Sequence, residues 1–283
     1  MAIRRARVWI AVTSICIAGG LTAVTLTAAP AFAASVTGTD VVEGELSVPV
    51  GATATKTVSC PAGKTVTSGG WTQKFGAFDA DLLIRESRPV PGTGWRVTAR
   101  NLTSTPWTLR VYAICSSGQT RTYPSTTFTV PPGSMVSGTA TCSSGVSVGG
   151  GFSMDWIAPE HAANRSRPSG STGWTVRVSN DTASVTRTVT VWAVCGDFTG
   201  RRLETQTFVV NPGTMTVFKS GCDTGEVPAG GGFAHDAGNG YLHDLVFGIF
   251  TRSGAYSWMM PYSVPLGESS RQATLYNVCV RGN

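Results

Sequence analysis

Two histidine–carboxylate pairs are the residues of this chain best suited to metal chemistry. They are His235-Asp236 and His243-Asp244, and they flank a glycine-rich segment. Imidazole nitrogens and carboxylate oxygens bind transition metals, but a zinc site needs its ligands in a fixed tetrahedral arrangement. Because a glycine-rich segment does not fix ligands, His235 and His243 are weak metal candidates. We expect both to be solvent-exposed loop residues, and we expect no metal and no other cofactor.

Sequence signatures of catalysis do not support an enzyme. One serine, Ser147, matches the Gly-x-Ser-x-Gly frame, but no helical pattern follows it, so it lacks the strand–turn–helix context of a strained nucleophile. Gly149-Gly150-Gly151 precedes no predicted helix, so it lacks the context of a phosphate-binding loop. Carboxylates are sparse and mostly do not recur between the related parts of the chain. We therefore predict no catalytic residues.

Three segments, 72–81, 153–163 and 234–244, differ from one another while the sequence around them recurs. Variable loops on a recurring framework are typical of recognition. Each segment combines an aromatic ring with a carboxylate, and such side chains suit sugars, which present apolar C–H faces surrounded by hydroxyl groups. The alternative is that these loops vary because nothing constrains them. The candidate ligand-binding residues are Phe75, Phe78, Asp79, Asp81, Asp155, Trp156, Asp236, Tyr241 and Asp244.

Arginines recur in a second element, where Arg85 and Arg88 match Arg165 and Arg167. Alternate spacing puts the second pair on one face of a strand. That face could bind an anionic partner such as a wall polymer. The interpretation that we favour is an edge strand whose charges discourage sheet-to-sheet aggregation.

The framework that must position these residues is a module of about 80 residues, present in three copies. Every copy has a turn glycine, a cysteine, a Gly-Gly-aromatic segment, a lone tryptophan and a closing cysteine. In chain order the glycines are Gly51, Gly133 and Gly213, the aromatic residues Trp71, Phe152 and Phe233, and the tryptophans Trp95, Trp174 and Trp258. We predict modules over 46–127, 128–207 and 208–283, after an N-terminal segment over 34–45. We expect the three tryptophans to lie in the core.

Six cysteines follow the presequence, one pair in each copy. If each module is a self-similar unit, the disulfides are Cys60–Cys115, Cys142–Cys195 and Cys222–Cys279. Disulfides of this kind require an oxidising compartment.

Strand patterns dominate each copy, most clearly in the segment before the closing cysteine. Leu109, Val111, Ala113 and Cys115 alternate there with residues of the opposite face, and copies two and three repeat the pattern. The opposite face also carries an aromatic and a β-branched residue, namely Tyr112 with Ile114, Trp192 with Val194, and Tyr276 with Val278. A strand that is apolar on both faces is buried on both. We therefore predict an all-β fold in which three antiparallel modules surround a pseudo-threefold axis as in a β-prism, with tandem immunoglobulin-like β-sandwiches as the alternative.

The first 33 residues resemble a secretory signal peptide. Arg4, Arg5 and Arg7 precede an apolar run that ends in Ala31-Phe32-Ala33, which predicts cleavage near Ala33. Loss of the three arginines lowers the formal net charge from +6 to +3. The remaining basic residues are scattered, so we expect no nucleic-acid partner. No second long apolar run follows, so we expect a secreted protein without a membrane anchor.

The recurring motifs resemble a repeat of secreted bacterial proteins whose role is largely unassigned. The motifs are Cys60-Pro61-Ala62-Gly63, the Gly-Gly-aromatic segment, Gly94-Trp95 with Gly173-Trp174, and the ending Tyr112-Ala113-Ile114-Cys115. This similarity covers residues 46–279. The threefold count is also similar in pattern to the vitelline-membrane outer-layer family, although the Asp-rich segment of that family is absent here. That second resemblance implies an extracellular β-prism with glycan contact.

These observations predict a secreted, non-catalytic protein that binds cell-wall or extracellular glycan through variable loops of a triplicated β framework. Its partner would then be a glycan or another cell-surface polymer. The alternative is a structural or adaptor subunit of an extracellular assembly, whose partner is a protein.

Overall fold

β-strands build the part of the chain that the structure describes. The computed structural model describes residues 39–73, 82–117, 120–155, 161–212, 215–235, 246–247, 251–252, 257–263 and 269–281. Within these residues all regular elements are β-strands, and no helix of membrane-spanning length and hydropathy occurs. The predicted all-β class is confirmed. The predicted signal peptide lies outside the described residues.

The first module contains two facing sheets. Its strands are β1 (Thr39–Val48), β2 (Thr53–Ser59), β3 (Thr65–Gln73), β4 (Leu82–Val90), β5 (Gly94–Asn101) and β6 (Trp107–Ser116). One sheet has the order β1-β6-β3, and the other contains β2-β5-β4. All these pairings are antiparallel.

The second and third modules repeat this plan. Residues 121–130 pair with residues 187–196, and residues 202–210 pair with residues 271–279, so we count residues 120–200 with the second module and residues from 201 with the third. The predicted boundaries at 128 and 208 therefore fall inside strands. The second has β7 (Arg121–Thr122), β8 (Ser125–Val130), β9 (Ser134–Thr141), β10 (Val146–Met154), β11 (His161–Ser169), β12 (Gly173–Asn180) and β13 (Arg187–Gly196). The third has β14 (Arg202–Val210), β15 (Met215–Gly221), β16 (Glu226–His235), β17 (Val246–Phe247), β18 (Thr251–Arg252), β19 (Ser257–Ser263) and β20 (Arg271–Arg281).

Hydrogen-bonded sheets cross from each module into the next. β4 pairs with β10, which gives the order β2-β5-β4-β10-β13 with β7 and β8 on the far side of β13; we call this the first inter-module sheet. β11 pairs with β16, which gives the order β14-β20-β16-β11-β12-β9; we call this the second inter-module sheet. Because the sheets are continuous, the modules are not separate tandem sandwiches, although each contains two facing sheets.

The core of each module lies between its two sheets. Leu109, Val111, Ala113 and Cys115 of β6 are completely buried, as the alternation predicts. Trp95 and Trp174 are also buried, and each indole Nε1 donates to a serine on the neighbouring strand, Ser87 at 3.1 Å and Ser166 at 3.0 Å. The predicted core role of these two tryptophans is confirmed. Trp258 lies at the equivalent place on β19.

The three predicted disulfides are confirmed. Cys60–Cys115, Cys142–Cys195 and Cys222–Cys279 close loops of 55, 53 and 57 residues within single modules. Loop closure of this length contributes about 4 kcal/mol per bond in the chain-entropy description. The bonds indicate an oxidising environment.

Three consecutive glycines explain the Gly-Gly-aromatic motif, because each meets a different neighbour. A Cβ on Gly149 would overlap the Thr67 carbonyl oxygen of the first module, and one on Gly150 would overlap the Trp174 ring. A Cβ on Gly151 would overlap the Ser87 carbonyl oxygen on β4. The absence of side chains therefore lets β10 approach two strands of the first module and the core tryptophan of its own.

A buried asparagine at the end of β5 and another at the end of β12 fix the turns that follow these strands. Asn101 is fully buried, and its Nδ2 donates to the carbonyls of Val48 at 3.0 Å and Thr105 at 2.7 Å. Its Oδ1 accepts from the amide of Thr103 at 2.9 Å. Asn180 makes the equivalent bonds in the second module. The asparagine and threonine of the Asn-x-Thr pattern at these two positions therefore stabilise the turn through hydrogen bonds.

Arginine and tyrosine side chains also join the first two modules. Arg121, just ahead of β8, donates to Thr65 Oγ1 at 2.7 Å, and its guanidinium lies 5.0 Å from the centre of the Phe198 ring. The hydroxyl of Tyr123 donates to the Val66 carbonyl at 3.1 Å. Arg201 makes a similar connection from the third module to the second, donating to the carbonyl of Ser147 at 2.7 Å.

Candidate functional surfaces

A line of polar side chains crosses the outer face of the first inter-module sheet. We call it the first row; strand pairing places its members side by side in the order Thr127, Thr190, Ser153, Glu86, Thr98 and Thr55. Neighbouring strands are about 4.8 Å apart, so six strands make a row of about 24 Å. Thr127 and Thr55, at its ends, are exposed. The row therefore has the length of an extended polymer segment.

Hydrogen bonds within the first row hold its side chains in place. Thr98 Oγ1 donates to Glu86 Oε2 at 2.7 Å and lies 2.9 Å from Thr55 Oγ1. Thr127 Oγ1 and Thr190 Oγ1 are 3.1 Å apart. A rigid row of hydroxyl and carboxylate groups loses little side-chain entropy when it binds a ligand.

Beside the first row, an arginine lies over an aromatic ring from the next module. The Arg88 guanidinium of β4 is 4.7 Å from the centre of the Trp192 ring of β13. The same Arg88 forms an ion pair with Glu86 through Nε and donates from Nη1 to the Pro89 carbonyl at 3.0 Å. Tyr276 and Arg167 repeat this contact in the second inter-module sheet, at 5.4 Å. Trp192 and Tyr276, the outer-face aromatic residues of β13 and β20, thus lie at seams between modules.

The second inter-module sheet carries the corresponding row, which we call the second row. Strand pairing orders it as Thr207, Thr274, Ala234, Arg165, Arg177 and Ser137. Arg165 takes the place of Glu86, and Arg177 takes the place of Thr98. The two rows therefore share a backbone arrangement and differ in charge.

The arginine-rich strands are interior strands. β4 lies between β5 and β10, and β11 lies between β12 and β16. The prediction that these arginines protect a sheet edge is therefore wrong. Sequence alone gave the correct shared face for Arg165 and Arg167, but it could not show that another module would cover the edge.

Near the start of the variable segments of the second and third modules, a backbone carbonyl accepts a hydrogen bond from an arginine of the preceding module. Arg85 Nε donates to the Met154 carbonyl at 2.8 Å, and Arg177 Nη2 donates to the His235 carbonyl at 3.2 Å. Met154 and His235 are the last residues of β10 and β16. The predicted recognition segments of the second and third modules therefore begin at inter-module seams.

His235 lies in the protein interior, which corrects the prediction of an exposed loop residue. It ends β16 and is 2 % exposed. Burial, followed by the positive charges of Arg177, Arg271 and Arg165, lowers the pKa of its imidazole to about 3. The ring is therefore neutral at physiological pH, and the nearby guanidinium groups make this position unfavourable for a metal cation.

Of the predicted ligand-binding residues, Asp155 is the one inside the described part of the chain. It is exposed after β10, and its Oδ1 accepts a hydrogen bond from the Thr188 amide at 3.3 Å. Asp155 therefore also fixes the start of the variable segment. The residues outside the described part are Phe75, Phe78, Asp79, Asp81, Trp156, Asp236, Tyr241, His243 and Asp244.

One group of potential metal ligands occurs among the described residues, comprising Cys222, Glu226 and Cys279. Its two cysteines form the disulfide of the third module. A disulfide offers no thiolate, so the group does not form a metal site in the oxidised protein.

Sequence analysis missed Glu86, Thr98 and Arg177. The sequence contained a sign of charge at two of these positions. Glu86 lies between the two arginines of β4, and Arg177 lies between two valines of β12. Only the register between strands shows that Arg177 lies beside Arg165.

Comparison of the chain with protein-family models and with curated protein sequences finds no match.

Proposed function

We propose that this is a secreted, non-catalytic protein that binds an extracellular or cell-wall glycan along the outer faces of its inter-module sheets, together with the variable segments that begin at the seams. The observation that carries the proposal is the first row, a line of hydrogen-bonding side chains across six strands and two modules. Sugar hydroxyls both donate and accept hydrogen bonds, as do the row's serine and threonine hydroxyls.

The extended form of the row favours a polymer over a small molecule. Small-molecule sites are concave and bury most of the ligand, whereas this row follows the face of a sheet. Several weak contacts along one chain can add up to useful affinity.

We further propose that the three modules surround a pseudo-threefold axis. β3, β10 and β16 lie in contact with one another. A Cβ on Gly230 would overlap the Val148 carbonyl oxygen, as one on Gly149 would overlap that of Thr67. Val148, Val194, Ala229 and Val278 belong to one buried cluster that spans the second and third modules. A compact protein of about 250 residues should have a radius of gyration of about 18 Å in small-angle scattering, whereas a string of modules would be clearly larger.

The test of glycan binding is retention of the mature protein on purified bacterial cell walls and on a glycan array. Thr127→Val removes a hydroxyl of the first row with little change of volume, and we expect it to weaken retention severalfold. Thr126→Val is the matched control, because Thr126 is the exposed neighbour on β8 that faces away from the row. Trp156→Ala tests the variable segment in the same assay. Absence of retention on every glycan, or equal retention of both threonine variants, would count against the row as a glycan site.

A second candidate function, an adaptor in an extracellular protein assembly, has one specific observation in its favour. β14 is the last strand of the second inter-module sheet, and in the described residues it pairs with β20 only. Leu203 and Val209 on this strand are exposed by 36 % and 60 %. An exposed edge strand with apolar side chains can accept a strand from a partner. Affinity purification from culture supernatant would identify a stoichiometric protein partner, and Val209→Lys should release it.

A further inference from the structure

Two arginines lie directly beside each other at the centre of the second row. Arg165 of β11 pairs with Arg177 of β12, and Arg167 lies two residues from Arg165 on the same face. Opposed side chains of antiparallel strands have Cβ atoms about 5 Å apart, and like charges at that distance destabilise the pair. A negative charge nearby would stabilise this arrangement.

The first row contains such a charge within the protein. Its corresponding positions are Glu86 and Thr98, and the Glu86 carboxylate accepts a hydrogen bond from Thr98 and forms an ion pair with Arg88. Arg88 corresponds to Arg167. In the second row the arginine over the aromatic ring is kept, but the carboxylate beside it is replaced by a guanidinium. Among the described residues, the first seam therefore has a carboxylate where the equivalent seam has the Arg165 guanidinium; we call the latter the cationic seam.

Three hydrogen bonds around the cationic seam involve neutral oxygens. Arg177 donates from Nε to Asn164 Oδ1 at 2.6 Å and from Nη2 to the His235 carbonyl, and Arg167 donates to the Pro168 carbonyl at 3.1 Å. In the described part of the chain, no carboxylate lies within 4 Å of the guanidinium nitrogens of Arg165 or Arg167. Within that part, the buried Nε atoms of Arg165 and Arg167 also have no hydrogen-bond acceptor.

A second observation shows the positive potential at this seam. The buried imidazole of His235 has a strongly lowered pKa, to which Arg177, Arg271 and Arg165 contribute after burial itself. Arg271 reaches this region from β20, so arginines on three strands face the end of β16.

We propose that Arg165, Arg167 and Arg177 bind the negatively charged groups of an anionic polysaccharide, either carboxylates or phosphodiesters. This inference deepens the proposed function, on which it rests. Guanidinium groups bind such oxyanions through paired hydrogen bonds. Arg167 is already held over the Tyr276 ring, so little side-chain freedom is lost on binding. The same contact covers the ring, which is therefore not available to stack on a base of a single-stranded nucleic acid.

The test is retention of the mature protein on immobilised polymers of defined charge. Polygalacturonate supplies carboxylates, purified wall teichoic acid supplies phosphodiesters, and dextran is the neutral reference. We expect retention on at least one anionic polymer to exceed that on dextran by about tenfold or more, and to fall as salt is raised. The polymer that is retained identifies the source of the anion.

Two variants locate the binding. Arg165→Gln combined with Arg177→Gln should reduce retention on the anionic polymer about tenfold or more, whereas Arg110→Gln combined with Arg281→Gln removes the same charge elsewhere and should not. Arg165→Glu introduces the carboxylate that the first row has at this position. It should abolish retention and raise Tm, because it replaces a guanidinium with a carboxylate that can pair with Arg167 as Glu86 pairs with Arg88. A variant that merely unfolds would lower Tm instead.

The outcomes separate this inference from the proposed function. Retention on neutral glycans with no anionic preference, or equal retention of the two double variants, would overturn the inference and leave glycan binding standing. Equal retention on polyglutamate or duplex DNA would also overturn it, because it would show general attraction of polyanions. Loss of retention on all glycans would overturn both.

Discussion

The guanidinium of Arg88 lies 4.7 Å from the centre of the Trp192 ring, and the two residues belong to different modules. Arg167 and Tyr276 repeat the contact one module later at 5.4 Å. These pairs connect the modules through side chains where β4 and β11 connect them through backbone hydrogen bonds. The same arginines are the residues that sequence analysis associated with a sheet edge.

We expect Arg88→Ala to reduce the free energy of unfolding by about 1 to 2 kcal/mol, because it removes a half-buried cation–π contact and leaves Glu86 without its ion pair. Urea unfolding followed by tryptophan fluorescence measures the change. A double-mutant cycle with Trp192→Leu isolates the ring contact, because leucine has no aromatic face. Additive effects of the two substitutions would mean that the contact contributes nothing.

Gly151→Ala should be among the most destabilising single substitutions, with a loss of about 3 kcal/mol. Its Cβ would overlap the Ser87 carbonyl oxygen and lie 2.9 Å from the Arg88 Cα, and neither backbone group can move without breaking the seam. Gly44→Ala is the matched control. The nearest atom to its Cβ is Lys56 Cε at 2.8 Å, at the flexible end of a side chain, so this variant should be nearly neutral. Similar melting temperatures for the two variants would contradict the explanation.

Asn101→Ala should cost about 2 to 3 kcal/mol, because the carbonyls of Val48 and Thr105 and the amide of Thr103 lose their partner. Asn101→Asp keeps the acceptor and loses both donated bonds, so it should be at least as harmful. Chemical denaturation of both variants provides the measurement. Thr53→Ala, at the exposed start of β2, serves as the reference.

The buried imidazole of His235 predicts a pH dependence of stability. Its pKa is about 3 in the folded protein and near 6.5 when unfolded, so below pH 6.5 the unfolded chain takes up a proton that the folded chain does not. Stability from this group is complete above pH 6.5 and declines as the pH falls towards 3. Between pH 7 and pH 5 the decline should be about 2 kcal/mol at most.

Comparison of the wild-type protein with His235→Gln over this range isolates the contribution, because glutamine does not titrate. The variant should lose less stability than the wild-type protein between pH 7 and pH 5. Parallel pH profiles would show that His235 is protonated in the folded protein or exposed to solvent.

Local patterns predicted what depends on neighbours along one chain segment. The alternation in β6 identified its buried face, and the recurring cysteines identified the three disulfides. The variable segments could be located but not interpreted, because the role of their side chains depends on contacts that a periodic pattern does not contain. His235 was placed wrongly because the glycines after it suggested a loop, whereas β16 continues to His235 and the neighbouring module buries it.

The sequence by itself determined the strands, the three copies and the covalent links, since periodicity and repeated cysteines act over short distances or within one module. Only the tertiary structure decided which strands of different modules pair. That pairing places Glu86 and Arg165 at equivalent positions of two sheets. It also gives β4 and β11 a hydrogen-bonded neighbour on each side, and the register within one module puts Arg177 beside Arg165. The physical reason is that a charge acts on whatever lies within a few ångströms of it, and register between distant strands sets those distances.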